Sequence, residues 1–289
     1  MIEQRKFMGR YHKNVIVLGS ARSGTSWLSE NLAKPFRYRM LFEPEHDERT
    51  PKGHLLTDQF FTLENPPSKK ALHYLHCVFK NRVDSDWIAQ NSNRKYKRHL
   101  WPFIPKKIII KFVRFNLSGA YLAQKFDVPV VHIIRNPLKV IESQKRVMFP
   151  WLLDFKFFLQ QPHLVDLLKL EFNYDLSTIN EKPDAEKLAV RWCIENVIPL
   201  QVQRLPSRNF WIVKHEDLRS DISIYKKLCE DLNLDVIENI ENEYRKPSSK
   251  THPKSAVHAI VDERSFLDQE EVQKIKNILN TFHQEFYEL

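Results

Sequence analysis

The segment from Val15 to Leu32, VIVLGSARSGTSWLSENL, restricts the possible folds of this chain more than any other segment. It begins with an apolar run, continues through residues rich in Gly and Ser, and ends in a helical pattern. This order predicts a buried strand at Val15–Gly19, a turn, and a helix at Thr25–Ala33. Such a turn points backbone N–H groups at an anion, and the dipole of the following helix adds to the attraction. The segment therefore predicts a phosphate-binding loop, the alternative being an ordinary strand-to-helix connection. The loop also offers the hydroxyl groups of Ser23, Thr25 and Ser26.

This loop departs from the phosphate-binding loop of nucleotide hydrolases, G-x-x-x-x-G-K-[ST], at one informative position. Gly19, Gly24 and Ser26 match the pattern, but Thr25 stands where the lysine belongs, and the basic residue is Arg22. Kinases and hydrolases use that lysine, with Mg²⁺, to hold the β and γ phosphates. None of the apolar strands ends in an Asp that could bind Mg²⁺. A P-loop kinase or hydrolase is therefore the second interpretation. The first is a protein whose ligand needs less positive charge to neutralise it than a triphosphate does.

Short apolar runs alternate with helical patterns along the rest of the chain. Further strands are predicted at Lys107–Val113, Val128–Ile134 and Asn209–Lys214. Helices are predicted at Leu117–Phe126, Leu138–Val147, Leu152–Glu171, Asp184–Arg204 with a kink at Pro199, Ile222–Leu232 and Asp268–Tyr287. Strands that are apolar on both faces are typical of a parallel sheet covered by helices on both sides. We predict an α/β, P-loop-type three-layer fold, with a central parallel sheet flanked by helices. Residues 1–289 are expected to form a single domain, with acceptor-side insertions at 51–107 and 149–182.

Composition narrows the class of protein. The chain has 289 residues, of which 42% are hydrophobic, and a formal net charge of +9, which favours anionic partners. Its cysteines, Cys77, Cys193 and Cys229, are far apart, which disfavours a disulfide scaffold or a zinc site and favours a reducing compartment. No signal peptide and no apolar run of about 18 residues is recognisable, so we expect a cytoplasmic protein without a membrane span.

A second candidate anion site follows the strand at Val128–Ile134. The strand ends in Arg135-Asn136-Pro137, and Ser143 follows eight residues after the arginine. Ligands of parallel sheets bind at the carboxyl ends of the strands, and an arginine there offers a planar fork for a phosphate. Because Ser143 falls about two turns into the next helix, it can reach the same phosphate only if the ligand lies over that helix.

Together these segments resemble the sulfotransferase family that uses 3′-phosphoadenosine 5′-phosphosulfate (PAPS). The family's 5′-phosphosulfate loop reads P-[KR]-[ST]-G-[ST]-[ST], and this chain has residues 21–26, ARSGTS. Its 3′-phosphate motif is a strand ending in R-[ND]-P followed by a serine, as at Arg135 and Ser143. A third feature, [FY]-E-D-L after a late strand, is matched by residues 215–218, HEDL. The resemblance spans roughly residues 14–232.

The resemblance implies a set of roles for named residues. PAPS would be the cosubstrate and 3′-phosphoadenosine 5′-phosphate (PAP) the product, without a metal. Arg22 would contact the bridging oxygen and the sulfuryl group, and the rest of the loop would hold the 5′-phosphosulfate. Arg135 and Ser143 would bind the 3′-phosphate, and Trp27 would stack on adenine unless it simply packs in the core. His215 would lie near the adenine, and the family's R-K-G loop is absent, which leaves as candidates Arg245, Lys246, Ser248 and Lys250.

The proton acceptor also follows from the resemblance. In the phenol and steroid branch it is a His two residues after a Lys, but here Val113 occupies that place after Lys111. The carbohydrate, protein-tyrosine and many bacterial members use a Glu in an E-P pattern, which matches Glu43. Lys111 would then be a second cation at the sulfuryl group. The rival residues are Glu45, His46, Asp47 and Glu48.

The acceptor itself is not encoded in a recognisable motif. The basic, aromatic stretch Arg94–Lys107 favours an anionic or carbohydrate acceptor, and we expect no nucleic-acid partner. Phe149–Leu170 either lines a lipid-like pocket, rests on a membrane surface or forms a buried helix. A non-catalytic protein that binds acidic polymers is a third interpretation, but it leaves the pairing of the loop with Arg135 and Ser143 unexplained. Oligomeric state is left open.

Overall fold

A parallel sheet forms the centre of the fold. The computed structural model describes residues 11–90, 105–203, 209–249 and 266–288. Within them the strands are β1 (Asn14–Leu18), β2 (Tyr38–Phe42), β3 (Lys107–Lys111), β4 (Val130–Ile134) and β5 (Phe210–Lys214). They pair in the order β2-β3-β1-β4-β5, and all four pairings are parallel. The predicted α/β fold of the P-loop type, with a central parallel sheet flanked by helices, is confirmed.

Helices lie on both faces of this sheet. The α-helices of the described residues are α1 (Thr25–Leu32), α2 (Lys69–Phe79), α3 (Gly119–Phe126), α4 (Pro137–Val147), α5 (Lys156–Leu159), α6 (Pro162–Phe172), α7 (Asp184–Val197), α8 (His215–Ser220), α9 (Ile222–Asp231), α10 (Ile240–Arg245) and α11 (Gln269–Thr281). Short 3₁₀ helices occur at Gly53–Leu55, Asn116–Ser118, Pro150–Leu153 and Leu176–Glu181, and a π-helical turn at Ile198–Val202. None of the helices in these ranges combines the length and apolar composition that a membrane crossing requires.

The alternation of side chains along β1 explains why both faces are covered. Ile16 and Leu18 are fully buried in a cluster with residues of α2 and α3. Val15 and Val17 are fully buried on the opposite face, in a cluster with residues of α1 and α9. A third cluster joins the end of β4 to α4, α6, α7 and α11. Because successive strand residues point to opposite faces, a strand buried on both sides must be apolar throughout.

Most predicted elements agree with the structure to within a few residues, but there are exceptions. The helix predicted to reach Tyr287 ends at Thr281. The strand β2 was not predicted. The single helix expected at Leu152–Glu171 is divided into the 3₁₀ helix at Pro150–Leu153, then α5, then α6. Pro162 begins α6 because proline lacks a backbone donor and disfavours helical geometry in the residue before it. Near Pro199, where a kink was expected, the helix changes to the π-helical turn.

The segment Phe149–Leu170 packs mainly inward. Leu152, Phe155 and Phe158 are almost completely buried in the cluster that also contains α7 and α11. Leu170 is an exception, with 82% of its surface exposed. The burial agrees with the interpretation of this segment as core, although it is not one helix.

The carboxyl ends of all five strands lie on one edge of the sheet, because the strands are parallel. The loop of residues 19–24 follows β1, Glu43 follows β2, and Arg135 follows β4. His215 follows β5 directly and begins α8. The residues singled out from the sequence therefore meet at this edge.

Candidate active site

The loop after β1 is held in a conformation that its glycines permit. Gly24 has φ 93° and precedes the first residue of α1. A Cβ on Gly24 would lie 2.4 Å from Cδ2 of His215, and one on Gly19 would lie 2.4 Å from the carbonyl oxygen of Ile133. Arg22 also has a positive φ, 73°, which is uncommon for a residue with a side chain. The loop therefore lies directly against β4 and α8.

The loop arginine, the R-N-P arginine and the helix serine are brought together. Arg22 Nε donates to Ser143 Oγ at 3.0 Å, and Arg135 Nη1 donates to the carbonyl oxygen of Arg22 at 3.0 Å. Although Ser143 lies well inside α4, it therefore reaches the loop directly. Two motifs that are far apart in the sequence form one site.

The electrostatics of this site favour an anion. Burial, followed by the nearby positive charge of Arg135, lowers the pKa of Arg22. Burial also lowers the pKa of Arg135, while Glu216 acts in the opposite direction. Two half-buried guanidinium groups beside each other are costly unless a negative charge neutralises them. Phosphate and sulfuryl oxygens would supply that charge.

The remaining loop residues present donors at the start of α1. The Ser23 hydroxyl is buried and has no hydrogen-bond partner within the described residues. Thr25 begins α1, and Ser26 is half-buried beside it. Because Gly24 has no side chain to cap the helix, the first backbone N–H groups of α1 are available to a ligand. Binding of a phosphate by this loop remains a prediction.

Trp27 is enclosed by side chains. Its indole Nε1 donates to the carbonyl oxygen of Tyr244 at 3.1 Å, and the rings of Trp27 and Tyr244 lie 4.8 Å apart. The Arg219 guanidinium lies 5.0 Å from the Trp27 ring centroid. These contacts agree with the interpretation that Trp27 packs in the core. Stacking of Trp27 on adenine remains a prediction. Of the residues proposed to contact the nucleotide, Lys250 lies outside the described residues.

His215 lines the loop as a neutral side chain. Its ring approaches Gly24 and lies edge-on to Trp27, with centroids 6.1 Å apart. Burial, followed by the nearby Arg135, lowers the pKa of His215 to about 4. An uncharged imidazole therefore adds no further positive charge to the site at neutral pH.

Glu43 and Lys111 form an ion pair at the carboxyl edge, where β2 and β3 end. The Glu43 backbone has φ 44°, and its N–H donates to the carbonyl oxygen of Lys111 at 2.9 Å. Lys111 is buried, with its ammonium 4.0 Å from the Phe42 ring centroid, whereas 16% of the Glu43 side chain is exposed. Lys111 therefore fixes the position of a carboxylate that remains partly exposed.

Among the rivals of Glu43, Glu45 has a structural environment. Its Oε1 accepts hydrogen bonds from the backbone N–H groups of Val113 at 2.7 Å and Arg114 at 3.0 Å. Burial, together with the negative charge of Glu43, raises the pKa of Glu45 to about 7. Because Glu45 is almost completely buried, it holds the turn after β3 and is not accessible to an acceptor.

The other rivals are also engaged or solvated. His46 Nδ1 accepts from the backbone N–H of Glu48 at 3.3 Å, so the proton of the neutral ring is on Nε2, which is then a donor. Burial lowers the pKa of His46, which favours this neutral form. Asp47 accepts from Arg114 Nη1 at 2.7 Å, and Glu48 is exposed. Glu43 and Asp47 each pair with a buried cation and keep part of the side chain exposed, so the preference for Glu43 rests on the E-P pattern of the family resemblance.

Sequence reasoning missed the side chains that support the loop. Asn116 Oδ1 accepts from Gly19 N at 2.7 Å. Gln144 Nε2 donates to the carbonyl oxygen of Ala21 at 3.0 Å, and Asn196 Nδ2 donates to Ser20 Oγ at 2.8 Å. Each is a single polar residue on a distant element, and no local pattern marks it.

Charged side chains that are mostly buried form a connected series from Glu195 on α7 to Asp47 in the segment after β2. Arg114 lies 3.6 Å from Asp58, and Arg191 lies 3.4 Å from Asp58 and 3.2 Å from Glu195. Burial raises the pKa of Glu195 to about 7.

Within the described ranges, no group of three or more His, Cys, Asp or Glu side chains has the arrangement of a metal site.

Comparisons with known proteins are limited to structure. No family model matches the chain, and no curated protein matches it. Among solved structures, the sulfotransferase domain of the Synechococcus PCC 7002 olefin synthase has 16% identity and a TM-score of 0.46, covering 95% of this chain and 96% of its own. A mouse sulfotransferase complexed with PAP has 11% identity and a TM-score of 0.45, and the match covers 95% of this chain and 86% of the mouse chain. A sulfotransferase from Mycobacterium avium has 14% identity and a TM-score of 0.44, and the match covers 98% of this chain and 80% of the other chain. At these values none of them assigns a role to a residue of this chain.

Proposed function

We propose that this protein is a PAPS-dependent sulfotransferase that transfers a sulfuryl group to an acceptor hydroxyl. The observation that carries the proposal is the contact between the two nucleotide motifs. Arg22 of the loop bonds to Ser143, and Arg135 bonds to the carbonyl oxygen of Arg22. The loop can bind one phosphate and Arg135 can bind a second. Because they lie side by side, they suit a nucleotide that carries separate 5′ and 3′ anions.

The residues have distinct roles in the proposed reaction. The loop amides and Arg22 bind the 5′-phosphosulfate, and Arg135 and Ser143 bind the 3′-phosphate. Glu43 accepts the proton of the acceptor hydroxyl as its oxygen forms a bond to sulfur. The bond between sulfur and the bridging oxygen breaks in line with this attack, and PAP leaves with the electron pair. Arg22 stabilises the charge that develops on the leaving phosphate.

Lys111 has two functions in this proposal. Its ammonium fixes the Glu43 carboxylate at the edge of the sheet, as described for their ion pair. It is also the second cation near the transferred group, since β3 lies between β2 and the strand that carries the loop. No step requires a metal, because the sulfuryl group carries less charge than a triphosphate.

The acceptor is proposed to be a carbohydrate or another anionic or hydroxyl-bearing molecule, on the basis of the net charge of +9. The basic stretch Arg94–Lys107 lies largely outside the described residues.

The three cysteines, Cys77, Cys193 and Cys229, are free thiols. This fits the proposal that the protein works in the reducing environment of the cytoplasm. A kinase or hydrolase remains the second candidate, but Thr25 offers no cation to a γ phosphate.

Calorimetric titration with PAP tests the proposal, with ATP plus Mg²⁺ as the competing ligand. We expect micromolar binding of PAP that Arg135→Ala weakens at least about tenfold, since a hydrogen bond to a charged group contributes about 1.5–3 kcal/mol. Arg82→Ala removes the same charge from an exposed position after α2 and should bind PAP normally. Absence of PAP binding, or tighter metal-dependent ATP binding, would exclude the proposed cosubstrate.

A further inference from the structure

We propose that Tyr287 is a positioning residue of the nucleotide site, which keeps Arg135 available to the 3′-phosphate by occupying the carboxylate of Glu216. This inference rests on the proposed function. Tyr287 lies after the last described helix, outside every motif that the sequence analysis identified. Its phenol nevertheless donates to Glu216 Oε2 at 2.9 Å.

Glu216 connects this tyrosine to the R-N-P motif. Its second oxygen, Oε1, accepts from the backbone N–H of Asn136 at 3.0 Å. Asn136 in turn caps the N-terminus of α4, where its side chain accepts from the N–H of Lys139 at 3.3 Å. Both oxygens of the Glu216 carboxylate are therefore engaged, and one of them holds the residue next to Arg135.

The charge on Glu216 creates a competition that the phenol prevents. Glu216 and Tyr287 both interact electrostatically with Arg135. Within the described residues, however, the hydrogen bond of Arg135 goes to the carbonyl oxygen of Arg22. A carboxylate released from its phenol could instead form a forked pair with the guanidinium, in the geometry that a phosphate would use. The phenol therefore keeps Glu216 from blocking the site.

The other carboxylate near Arg135 is already balanced. Glu142 lies 3.9 Å from the ammonium of Lys139 and 3.9 Å from Arg146. Its Oε1 also accepts from the backbone N–H of Phe266 at 3.3 Å. In the described part of the chain, Glu216 has no comparable cation within ion-pair distance. The hydrogen bond from Tyr287 is therefore the side-chain contact that engages its second carboxylate oxygen.

The turn that carries Tyr287 is fixed to the body of the fold. Gln201 Nε2 donates to the carbonyl oxygen of His283 at 3.0 Å, and Gln284 bonds to both backbone groups of Tyr287. The Lys214 ammonium lies 4.9 Å from the Tyr287 ring centroid, so the ring also contacts the end of β5. Burial and the adjacent Glu216 raise the pKa of Tyr287, so the hydroxyl remains protonated and able to donate.

A comparison of two ligands tests this role. PAP carries the 3′-phosphate, whereas AMP lacks it and reports on the rest of the nucleotide site. We expect Tyr287→Phe to weaken PAP binding about fivefold or more and to change AMP binding less than about twofold, measured by calorimetry. Tyr121→Phe removes a hydroxyl from α3, in the apolar cluster that α2 and α3 form on one face of the sheet, and should change neither.

A second substitution separates positioning from general stability. In Tyr287→Phe, the additional change Glu216→Gln removes the competing charge, so PAP affinity should return toward that of the wild type. Equal weakening of PAP and AMP, no change in PAP affinity, or no recovery in the double variant would each overturn the inference. If the wild type binds PAP and Arg135→Ala does not, these outcomes refute the role of Tyr287 alone. If the wild type does not bind PAP, the proposed function and this inference both fail.

Discussion

The substitution Gly24→Ala tests whether the loop conformation depends on its contact with His215. Gly24 has φ 93° and ψ 8°, in the left-handed region. An alanine Cβ would lie 2.4 Å from Cδ2 and 3.1 Å from Nε2 of the His215 ring. The ring is half-buried between the loop and Trp27, so its movement is restricted. We therefore expect both backbone strain and a steric clash.

The two effects have comparable magnitudes. Left-handed geometry costs a residue with a Cβ about 1–2 kcal/mol, and overpacking of a filled site costs about 1–3 kcal/mol. Together they predict that Gly24→Ala lowers the free energy of unfolding by about 3 kcal/mol. For a domain somewhat smaller than this one, each kcal/mol lowers the melting temperature by about 2–4 °C. A decrease of several degrees is therefore expected.

A double-mutant cycle in urea separates the two contributions. His215→Ala removes the ring, so the clash disappears in Gly24→Ala/His215→Ala while the backbone strain remains. The double variant should be more stable than the sum of the single effects predicts, by about 1 kcal/mol or more. A loss below about 1 kcal/mol in Gly24→Ala, or strictly additive effects, would refute the account of this loop.

Three further predictions concern the base, the second anion site and a buried histidine. Glu43→Gln should lower sulfuryl transfer by about 10²–10⁴-fold and leave PAP affinity within about twofold, measured by turnover and calorimetry; an equal loss of binding would contradict its role as a base. Ser143→Ala removes a hydrogen-bond partner of Arg22 and should weaken PAP binding about tenfold, whereas unchanged affinity would show that this contact does not serve the ligand. Burial lowers the pKa of His132 from 6.5 to about 4, so the unfolded chain binds the proton more readily. Stability should therefore be complete above pH 6.5 and fall by about 3 kcal/mol as the pH decreases toward 4, and His132→Gln should reduce this loss in urea unfolding. An equally steep loss in His132→Gln would contradict the assignment.

The sheet was largely predictable from the sequence because its strands are buried on both faces. Asn14–Leu18 and Val130–Ile134 are apolar almost throughout, so a continuous hydrophobic run marks each of them. The strand Tyr38–Phe42 escaped prediction because Arg39 interrupts its apolar run. Arg39 is buried nevertheless, since its guanidinium bonds to Asp84 at 3.0 Å. A charge that finds its partner through the tertiary fold cannot be recognised from local pattern.

The candidate site divides in the same way. Arg22, Gly24 and Arg135 lie in segments where spacing relative to a strand end indicates a function. The polar side chains that hold these segments belong to distant helices and are defined by contacts across the fold. Tyr287 is the extreme case, because it lies 71 residues after Glu216 in the sequence and reaches the R-N-P motif through that glutamate. Such residues become visible only once the chain is folded.

The most direct test of the central claim is transfer of labelled sulfur. The protein would be incubated with ³⁵S-PAPS and a set of carbohydrate, lipid and small-molecule acceptors, with γ-³²P-ATP plus Mg²⁺ in parallel and Glu43→Gln as the matched variant. The account predicts ³⁵S in an acceptor with the wild type, a loss of about 10²-fold or more with Glu43→Gln, and no ³²P transfer. Phosphoryl transfer from ATP, equal ³⁵S transfer by the variant, or no ³⁵S transfer to any acceptor would contradict it.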